Sequence, residues 1–494
     1  MMNRTLKSLS APRHNPVWLS VLALISFLSG AGCTRTEDFT DDSSCRLLFS
    51  TDTLSFDTVF ATVSSATSGF VVYNRNDAGL RFSVTLAGGM ESAFRINVDG
   101  QSGTTFRNVE ILSNDSLYCF VAVLTEESGE DLPILTEDSI MFLLESGIRQ
   151  TVHLEAYGQD VVKLRGCVLD DEETVFTSAR PYLIYDSLVV DSGALLKLQK
   201  GTRLHFHDRA FLRINGRVEA DGTPDSMILM CGDRLDRMLT NIPYDLVSGR
   251  WGGVLIGSGS TGNRFVGCDI HGGSWGIMTD TCNSAAEDIY LIDGCIIHNV
   301  SGDGLQLNNT SGHVRNSLIS NAAGNCVSLL GGSNEFRFCT IANFYPWDLS
   351  GVALYLANVS DSLSFPMSRA EFVSCIVTGF GTDQIELQVN DSIAGQGPDL
   401  VGNYRISSSL ILTEDTLNAR LAGNVWDLER NPVHGSGNFL HVAQGDFRYD
   451  YHLDSLSMAR GISSSSALCP TDITGLQRPD TLADAGCYQF SDAH

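Results

Sequence analysis

The chain has 494 residues, of which 43% are hydrophobic and 18% charged, and its formal net charge is −26. This length exceeds one ordinary hydrophobic core, so we expect two or more domains. The acidic surface excludes nucleic acid as a partner and disfavours acidic polysaccharide unless calcium bridges the two, and we expect no other cofactor. Glycine is frequent and proline scarce, at 47 and 12 residues. No 3.6-residue apolar period is sustained, which indicates an all-β chain.

The first 32 residues have the features of an export signal. Three basic residues precede an apolar run at 17–28 that is too short to span a bilayer comfortably. The small residues Ser-Gly-Ala-Gly then lead into Cys33, and this pattern resembles the bacterial lipobox, although Gly30 stands where leucine is usual. The resemblance implies that residues 1–32 are a lipoprotein signal peptide and that the Cys33 thiol is acylated, which anchors the protein to a membrane. The alternative is an ordinary secretory signal with an incidental cysteine.

Residues 33–44 are polar and acidic and predict an unfolded tether. Once the signal peptide is removed, 29 basic and 58 acidic side chains give a net charge of −29. An acidic stretch directly after the lipid-bearing cysteine resembles the surface-export signal of Bacteroidota-type lipoproteins. The resemblance implies an outer-membrane protein exposed at the cell surface, whereas the alternative is a simple solvated linker.

Residues 45–165 are expected to form an immunoglobulin-like β-sandwich. Seven short runs alternate apolar and polar residues, from LSFDTVF to RQTVHLEAYG, with turn residues such as Asn76-Asp77 between them. About seven short strands in roughly 115 residues are typical of such a sandwich. The stretches VVYNRNDAGLRFS and RQTVHLEAYG resemble immunoglobulin-like domains of the abnormal-spindle and Hydin type. In that family these domains are spacers or binding modules, so the resemblance implies no enzymatic role.

Residues 166–488 are expected to form a right-handed parallel β-helix with a C-terminal capping segment. The main evidence is internal repetition, because a cysteine or serine recurs with an apolar residue three positions before it and two positions after it. The recurring residues are Cys268, Cys295, Ser317, Cys339, Cys375 and Ser409. The steps between them run from 22 to 36 residues, and the shortest fits one coil. Stacked coils place like residues above one another at about 4.8 Å.

The same register predicts three further columns. Ile319 is expected to be buried between Ile297 and Ile341. An asparagine ladder is expected at a turn, formed by Asn299, Asn321 and Asn343. The residues directly after the cysteines should face outward but are mostly apolar, among them Ile296, Leu318 and Ile376. Either a loop covers this column, or strand parity breaks there, or the column meets a partner.

Longer segments also carry a resemblance. The run RPYLIYDSLVVDSGALLKLQKGT, the segment GRWGGVLIGSGSTGNRF and the closing CPTDITGLQRPDTLADAGCYQF resemble a family of uncharacterised surface lipoproteins. Those proteins have right-handed β-helices of the pectate-lyase-like superfamily. The resemblance implies a fold and a location, and it brings no catalytic residues with it.

The cysteines are expected to play two roles. Those of the repeating column should be buried free thiols that act as small apolar fillers. Cys469 and Cys487 lie outside the repeats, and an exported protein is able to form disulfides, so these two are the candidate disulfide.

Two groups of residues are candidate sites. His271 and His298 occupy the same position in adjacent coils, with Asp269 close to the first, so they are candidates for holding a metal or moving protons. The alternative is a set of surface-facing polar residues at a turn, and the identity of any metal is open.

The second group is aromatic. Trp275, Tyr345 and Trp347 follow the turn of the asparagine ladder in two coils, and aromatic rings on one edge of a solenoid are suited to stacking on sugars. These residues are the candidate glycan-binding site. The alternative is that each ring packs against its own coil.

The leading interpretation is a non-catalytic surface protein that binds glycan, a polysaccharide or another surface protein, or mediates adhesion. A polysaccharide lyase or glycoside hydrolase is the alternative, because β-helices host both, and a structural spacer is the third reading. Against an enzyme, the main basic residues of the repeats lie on different coils, and no carboxylate pair is expected at matching positions of adjacent coils. These basic residues are Arg264, Arg315, Arg337 and Arg369.

Overall fold

The computed structural model describes residues 38–239, 242–282, 288–360, 363–390, 402–427, 436–443, 447–464 and 467–492. Regular structure in this part of the chain is β-strand, apart from short 3-10 turns at Gly89–Glu91, Tyr244–Leu246, Ala419–Leu421 and Ser436–Asn438. No helix among these residues is long and apolar enough to cross a membrane. The signal peptide and Cys33 lie outside the described residues, so both remain predictions.

Contacts group the chain into two compact units. Among the described residues, the first comprises 38–54, Ser68–Val121 and Asp138–Leu154, and the second comprises Ser55–Thr67, Ala122–Glu137 and the described part of 155–492.

The N-terminal part contains the expected sandwich. Its strands are β1 (Leu47–Phe49), β2 (Thr53–Phe60), β3 (Ser68–Asn74), β4 (Leu80–Leu86), β5 (Phe94–Val98), β6 (Gln101–Gly103), β7 (Thr105–Ile111), β8 (Ser116–Val123), β9 (Ile134–Leu144) and β10 (Arg149–Gln159). They form two five-stranded sheets, β1-β3-β8-β5-β6 and β2-β10-β9-β4-β7. Alternate side chains are buried, as in β4, which is the period-2 pattern of a strand with one face against a core. All seven expected strands are present, and β1, β6 and β7 are additional.

The end of the acidic segment is ordered, contrary to expectation. Phe39 pairs with Gly79, and the Arg81 guanidinium lies 4.4 Å from the centre of the Phe39 ring. Packing of the apolar Phe39 ring and its cation–π contact with Arg81 stabilise this ordered end. An unfolded tether would make neither interaction.

The second part consists mainly of short parallel strands. They are β11 (Val162–Leu169), β12 (Thr174–Phe176), β13 (Tyr182–Val190), β14 (Leu195–Gln199), β15 (Arg203–Phe206), β16 (Phe211–Ile214), β17 (Arg217–Asp221), β18 (Ile228–Gly232), β19 (Arg237–Leu239), β20 (Ile242–Pro243), β21 (Val254–Ile256), β22 (Asn263–Val266), β23 (Cys268–His271), β24 (Ile277–Thr279), β25 (Tyr290–Asp293), β26 (Ile296–Val300), β27 (Leu305–Asn308), β28 (Ser311–Arg315), β29 (Leu318–Ala322), β30 (Val327–Leu330), β31 (Gly332–Arg337), β32 (Thr340–Asn343), β33 (Leu354–Ala357), β34 (Val359–Ser360), β35 (Leu363–Ser364), β36 (Met367–Val373), β37 (Ile376–Gly379), β38 (Ile385–Gln388), β39 (Tyr404–Ser407), β40 (Leu410–Ile411), β41 (Val425–Trp426), β42 (Phe439–Ala443) and β43 (Arg448–Leu453).

Three parallel ladders repeat along this part, and we name them faces A, B and C. Face A is β11-β13-β15-β18-β23-β26-β29-β32-β37-β40-β41, and face B is β13-β16-β21-β24-β27-β30-β33-β38. Face C is β12-β14-β17-β22-β25-β28-β31-β36-β39. The chain visits the faces in turn, so each circuit is one coil. This is the parallel β-helix predicted from the repeats, and right-handed winding follows the rule for crossovers between parallel strands. Parallel pairing begins at Val162.

The register agrees with the predicted columns. Ile297 pairs with Ile319 and Ile319 with Ile341, and all three are fully buried. The apolar residues three positions before the recurring cysteines and serines, which begin with Phe265, likewise form one column on face C. Asn299 and Asn321 are buried with φ of 53° and 54°, the left-handed region in which asparagine is favoured at turns.

A returning C-terminal segment covers the outward apolar column of face A. Leu318, Ile376 and Leu410 share a cluster with residues of β42, β43 and the chain beyond them, including Phe439 and Tyr451. The Tyr451 hydroxyl also donates to Asn321 Oδ1 at 2.8 Å. Of the three alternatives for this column, coverage by another segment is therefore the observed one.

The cysteines confirm one prediction and contradict the other. The four cysteines of the repeating column are fully buried free thiols, as expected for apolar fillers. Cys469 and Cys487 are also free, so the predicted disulfide is wrong. The reason is that Cys469 packs with Phe338 and Ala483, whereas Cys487 belongs to the cluster over face A.

Candidate functional site

Four ionisable residues form one column on face A. His205 pairs with Cys231, and His271 pairs with His298. The register between β18 and β23, in which Met230 pairs with Ile270, places Cys231 beside His271. All four follow an inward-pointing apolar residue, so strand alternation puts them on the other side of the sheet. We call this set the His/Cys column.

Asp269 joins two of these imidazoles. Its Oδ1 lies 2.8 Å from His271 Nδ1 and 3.3 Å from His298 Nε2, and the two rings are 4.7 Å apart at their centres. Burial alone would raise the pKa of Asp269, but the two imidazoles outweigh this effect and hold the pKa well below its usual range. The structure therefore brings together all three residues of the first candidate site.

Cys231 lies between the imidazoles of His205 and His271. Its Sγ is 3.4 Å from His205 Nδ1, and both residues are buried. Burial alone would raise the pKa of the Cys231 thiol, but interactions with His205 and His271 lower it. Burial likewise opposes the charged form of His205, whose pKa is nonetheless raised by the Cys231 sulfur. The column thus links a thiol to Asp269 through His271.

The column is held in place by buried aromatic packing. Trp251 is fully buried, stacks on Phe206 with ring centres 4.3 Å apart, and donates from Nε1 to the His271 carbonyl at 2.8 Å. This bond fixes the end of β23, where His271 lies. The side chains are therefore positioned by a rigid scaffold.

Only part of the aromatic candidate site is exposed for stacking on a sugar. Trp275 is half-buried and donates from Nε1 to the Val254 carbonyl at 3.1 Å. Tyr345 is buried, with its hydroxyl 2.6 Å from Ser248 Oγ, so it presents no ring face to solvent. Trp347 is exposed and packs beside Phe447, with ring centres 5.1 Å apart. Of the three residues, Trp347 alone offers an open ring.

Face C presents two outward columns in which most residues are charged. The first is Lys197, Glu219, Arg264, Leu291, His313, Glu335, Glu371 and Arg405. The second is Asp221, Val266, Asp293, Arg315 and Arg337. Residues on different coils are neighbours here, because stacked strands are only about 4.8 Å apart. The arginines lie on different coils, as expected, but stacking makes Arg315 and Arg337 register partners on adjacent strands.

The expectation about carboxylates is wrong. Glu335 and Glu371 are register partners on adjacent strands. The Arg369 guanidinium lies 3.0 Å from Glu335 Oε2 and 2.5 Å from Glu371 Oε2, and Arg337 also bonds to Glu335. Arg337 and Arg369 outweigh the effect of burial and lower the pKa of Glu335, so Glu335 is not a proton donor at neutral pH.

A polar groove lies at the N-terminal end of face C. It has a volume of about 1020 Å³ and is lined by charged residues that include Glu173, Lys197, Arg217 and Glu219. Lys197 Nζ is 2.6 Å from Glu173 Oε2, and an Arg217 guanidinium nitrogen is 3.1 Å from Glu219 Oε1. Donors and acceptors thus lie side by side along the groove, on strands β14 and β17 and in the turn before β12.

Sequence reasoning missed the link between Cys231 and the histidines. The signal was present, because His205 and Cys231 are 26 residues apart and His271 and His298 are 27 apart. The longer interval between Cys231 and His271 contains β19, β20 and a 3-10 turn, and this insertion hides the period.

No family model matches the chain, and no curated protein matches it. Among solved structures it is similar to PapD-like domain 7 of human CEP192, at 10% identity over 26% of this chain and 94% of that one, with a TM-score of 0.17. It is similar to the N-terminal domain of PorA, at 11% identity over 23% and 97%, with a TM-score of 0.18. It is also similar to a protein of unknown function from Porphyromonas gingivalis, at 13% identity over 25% and 59%, with a TM-score of 0.18.

Proposed function

We propose that this chain is a lipid-anchored surface protein that binds glycan along face C without cleaving it. The observation that carries the proposal is the pair of mainly charged columns on face C, which begin at the groove; the longer column runs across eight parallel strands. Seven steps between eight strands extend over about 34 Å. Basic donors and carboxylate acceptors are interspersed on this surface, and both are partners for sugar hydroxyls.

The rigidity of face C supports binding. Its outward residues alternate with a buried column that includes Phe265, Ile292 and Phe336, so the polar side chains project from a packed sheet. A preorganised surface loses little conformational entropy when a ligand binds. The net negative charge of the chain favours a neutral glycan, because a polyanion would be repelled unless calcium bridges the two.

The anchor part of the proposal rests on the sequence before residue 38. The small residues ahead of Cys33 and the acidic stretch after it support lipidation and display at an outer-membrane surface of the Bacteroidota type. Cys33→Ser is expected to move the protein from the membrane fraction to the soluble fraction. Membrane retention equal to that of wild type would contradict lipidation.

A polysaccharide hydrolase or lyase is the second candidate, and one observation favours it. Burial raises the pKa of Asp293, on the second outward column, even though Arg315 and Arg264 act in the opposite direction. A carboxyl group with a raised pKa is what a general acid requires. The register neighbours of Asp293 in its column are Val266 and Arg315, so no carboxylate lies directly beside it there to act as base or nucleophile. We therefore favour binding without turnover.

A glycan panel with product analysis tests the two candidates. The protein is incubated with neutral and uronate-containing polysaccharides, with and without calcium, and both retention and new reducing ends or unsaturated uronates are measured. Retention of a neutral glycan without products supports the proposal. Turnover that Asp293→Asn abolishes would contradict the proposal and show that the protein is an enzyme. If no glycan is retained, the proposal is also contradicted, and a structural spacer is the remaining interpretation.

A further inference from the structure

We propose that Asp269, His271 and His298 form a binding site for a divalent transition-metal ion of the zinc class. Two imidazoles and one carboxylate are a ligand set that zinc and similar ions accept in proteins. One donor atom from each residue lies within 4.8 Å of the others. This site is separate from the glycan surface on face C, so the two proposals stand or fall independently.

The distances suit a shared ion. Asp269 Oδ1 is 2.8 Å from His271 Nδ1 and 3.3 Å from His298 Nε2. Metal–ligand bonds of about 2.0–2.2 Å place neighbouring donors of a tetrahedral ion about 3.4 Å apart. The three donors therefore already surround a point that an ion could occupy after small side-chain rotations.

The backbone presets this arrangement. His271 and His298 are register partners on β23 and β26, and Asp269 lies two residues before His271 on the same side of the strand. Between them, Ile270 and Ile297 are fully buried and fix the strands against the core. The ligands are thus held by rigid elements rather than by loops, which is what a preorganised metal site needs.

One of the three ligands is buried and the other two are partly exposed. The His271 side chain is 7% exposed, while those of His298 and Asp269 are 23% and 28% exposed. The inner ligand, His271, also interacts with the Cys231 thiol and helps to lower its pKa, and metal-bound histidines usually have such a second partner. The outer two border solvent, so a water molecule could complete the coordination sphere.

His313 also lies beside a carboxylate, but its surroundings do not suit a cation. His313 Nδ1 lies 3.1 Å from Glu335 Oε2, but that carboxylate already pairs with Arg337 and Arg369. These guanidiniums would repel a cation. Among the described residues, no arginine or lysine forms an ion pair with Asp269, whose ion-pair partners are His271 and His298. Charge therefore favours a cation at Asp269 and disfavours one at His313.

Titration calorimetry with zinc, repeated with cobalt and read by visible absorption, tests the site. Untagged, chelator-treated protein is used, with Cys33, Cys45 and Cys167 replaced by serine in every sample, because Cys45 and Cys167 are the described thiols with partial exposure. We expect one saturable ion per chain. His298→Ala and Asp269→Asn should each weaken affinity at least tenfold, and His313→Ala should leave affinity unchanged.

Two further measurements keep the result interpretable. Thermal unfolding of each variant without metal shows whether the variant is folded. If one is not, His298→Gln takes its place, because His298 is a partly exposed ligand. Unchanged affinity in a folded His298 variant, an equal loss in His313→Ala, or no saturable binding by the parent protein would overturn the proposal.

Discussion

Glu335 and Glu371 are register partners on adjacent strands of face C, and the Arg369 guanidinium bonds to both carboxylates. Two carboxylates at strand spacing repel each other unless a cation lies close to both. Arg369 supplies that cation. Together with Arg337, it counters the effect of burial and keeps the pKa of Glu335 below its usual range.

Glu335→Gln is expected to lower the free energy of unfolding by about 1–3 kcal/mol at neutral pH, because the amide loses charge-assisted hydrogen bonds to two guanidiniums. A carboxylate with a lowered folded-state pKa stabilises the fold above its unfolded pKa of about 4.3 and loses this contribution as the pH falls. Urea unfolding should therefore show a difference between wild type and variant that shrinks below about pH 4.3. A difference that stays constant to lower pH would contradict the role assigned to Glu335.

Ile319→Ala should destabilise the β-helix by about 2–5 kcal/mol, because it leaves a cavity between Ile297 and Ile341. Ile319→Val is the matched control and should cost about 0.5–1.5 kcal/mol. Denaturant unfolding of the two variants gives both values. Equal, small effects would contradict the register of the inner column.

The columns were predictable because a β-helix repeats its interior with few choices. Ile297, Ile319 and Ile341 must fill the same space on successive coils, so their spacing shows directly in the sequence. The covering of Leu318 and Ile376 was not predictable. It depends on a segment more than 60 residues further along the chain, and no local pattern records which face such a segment packs on.

The candidate sites were predicted less completely than the fold. Asp269, His271 and His298 could be placed together because their spacing follows the repeat, whereas Cys231 lies before a long insertion. The arginines of face C were visible individually, but their proximity follows only from stacking of the coils. A disulfide between Cys469 and Cys487 was predicted because both lie outside the repeats. That prediction is wrong because each cysteine packs in a different apolar cluster.

The thiols should divide sharply by reactivity. Among the described residues, Cys45 and Cys167 are half-buried and the other ten cysteines are buried. Burial also raises the pKa of Cys487 to about 12 and that of Cys339 well above its ordinary value, so little thiolate is present. Alkylation followed by peptide mass spectrometry should modify Cys45 and Cys167 in native protein. Rapid native labelling of Cys339, or a Cys469–Cys487 disulfide under non-reducing conditions, would contradict the packing.

Tyr451→Phe tests the covering segment. The change removes the donor to Asn321 Oδ1 and leaves a buried acceptor without that bond, which should cost about 1–3 kcal/mol. Tyr118→Phe, at an exposed position, is the control and should have almost no effect. Thermal unfolding compares them, and equal stabilities would mean that the segment does not dock on face A as described.

The most direct test of the account is the glycan affinity of a groove variant against a matched control. Arg217 and Arg165 are both exposed and each pairs with one carboxylate, but Arg217 lines the groove of face C and Arg165 does not. Calorimetry with a neutral glycan retained in the panel should show at least about a tenfold loss for Arg217→Ala, the equivalent of 1.4 kcal/mol, and none for Arg165→Ala. If Arg217→Ala leaves the glycan affinity unchanged and Trp347→Ala lowers it, the glycan binds at Trp347 and not on face C. That result would contradict the central claim.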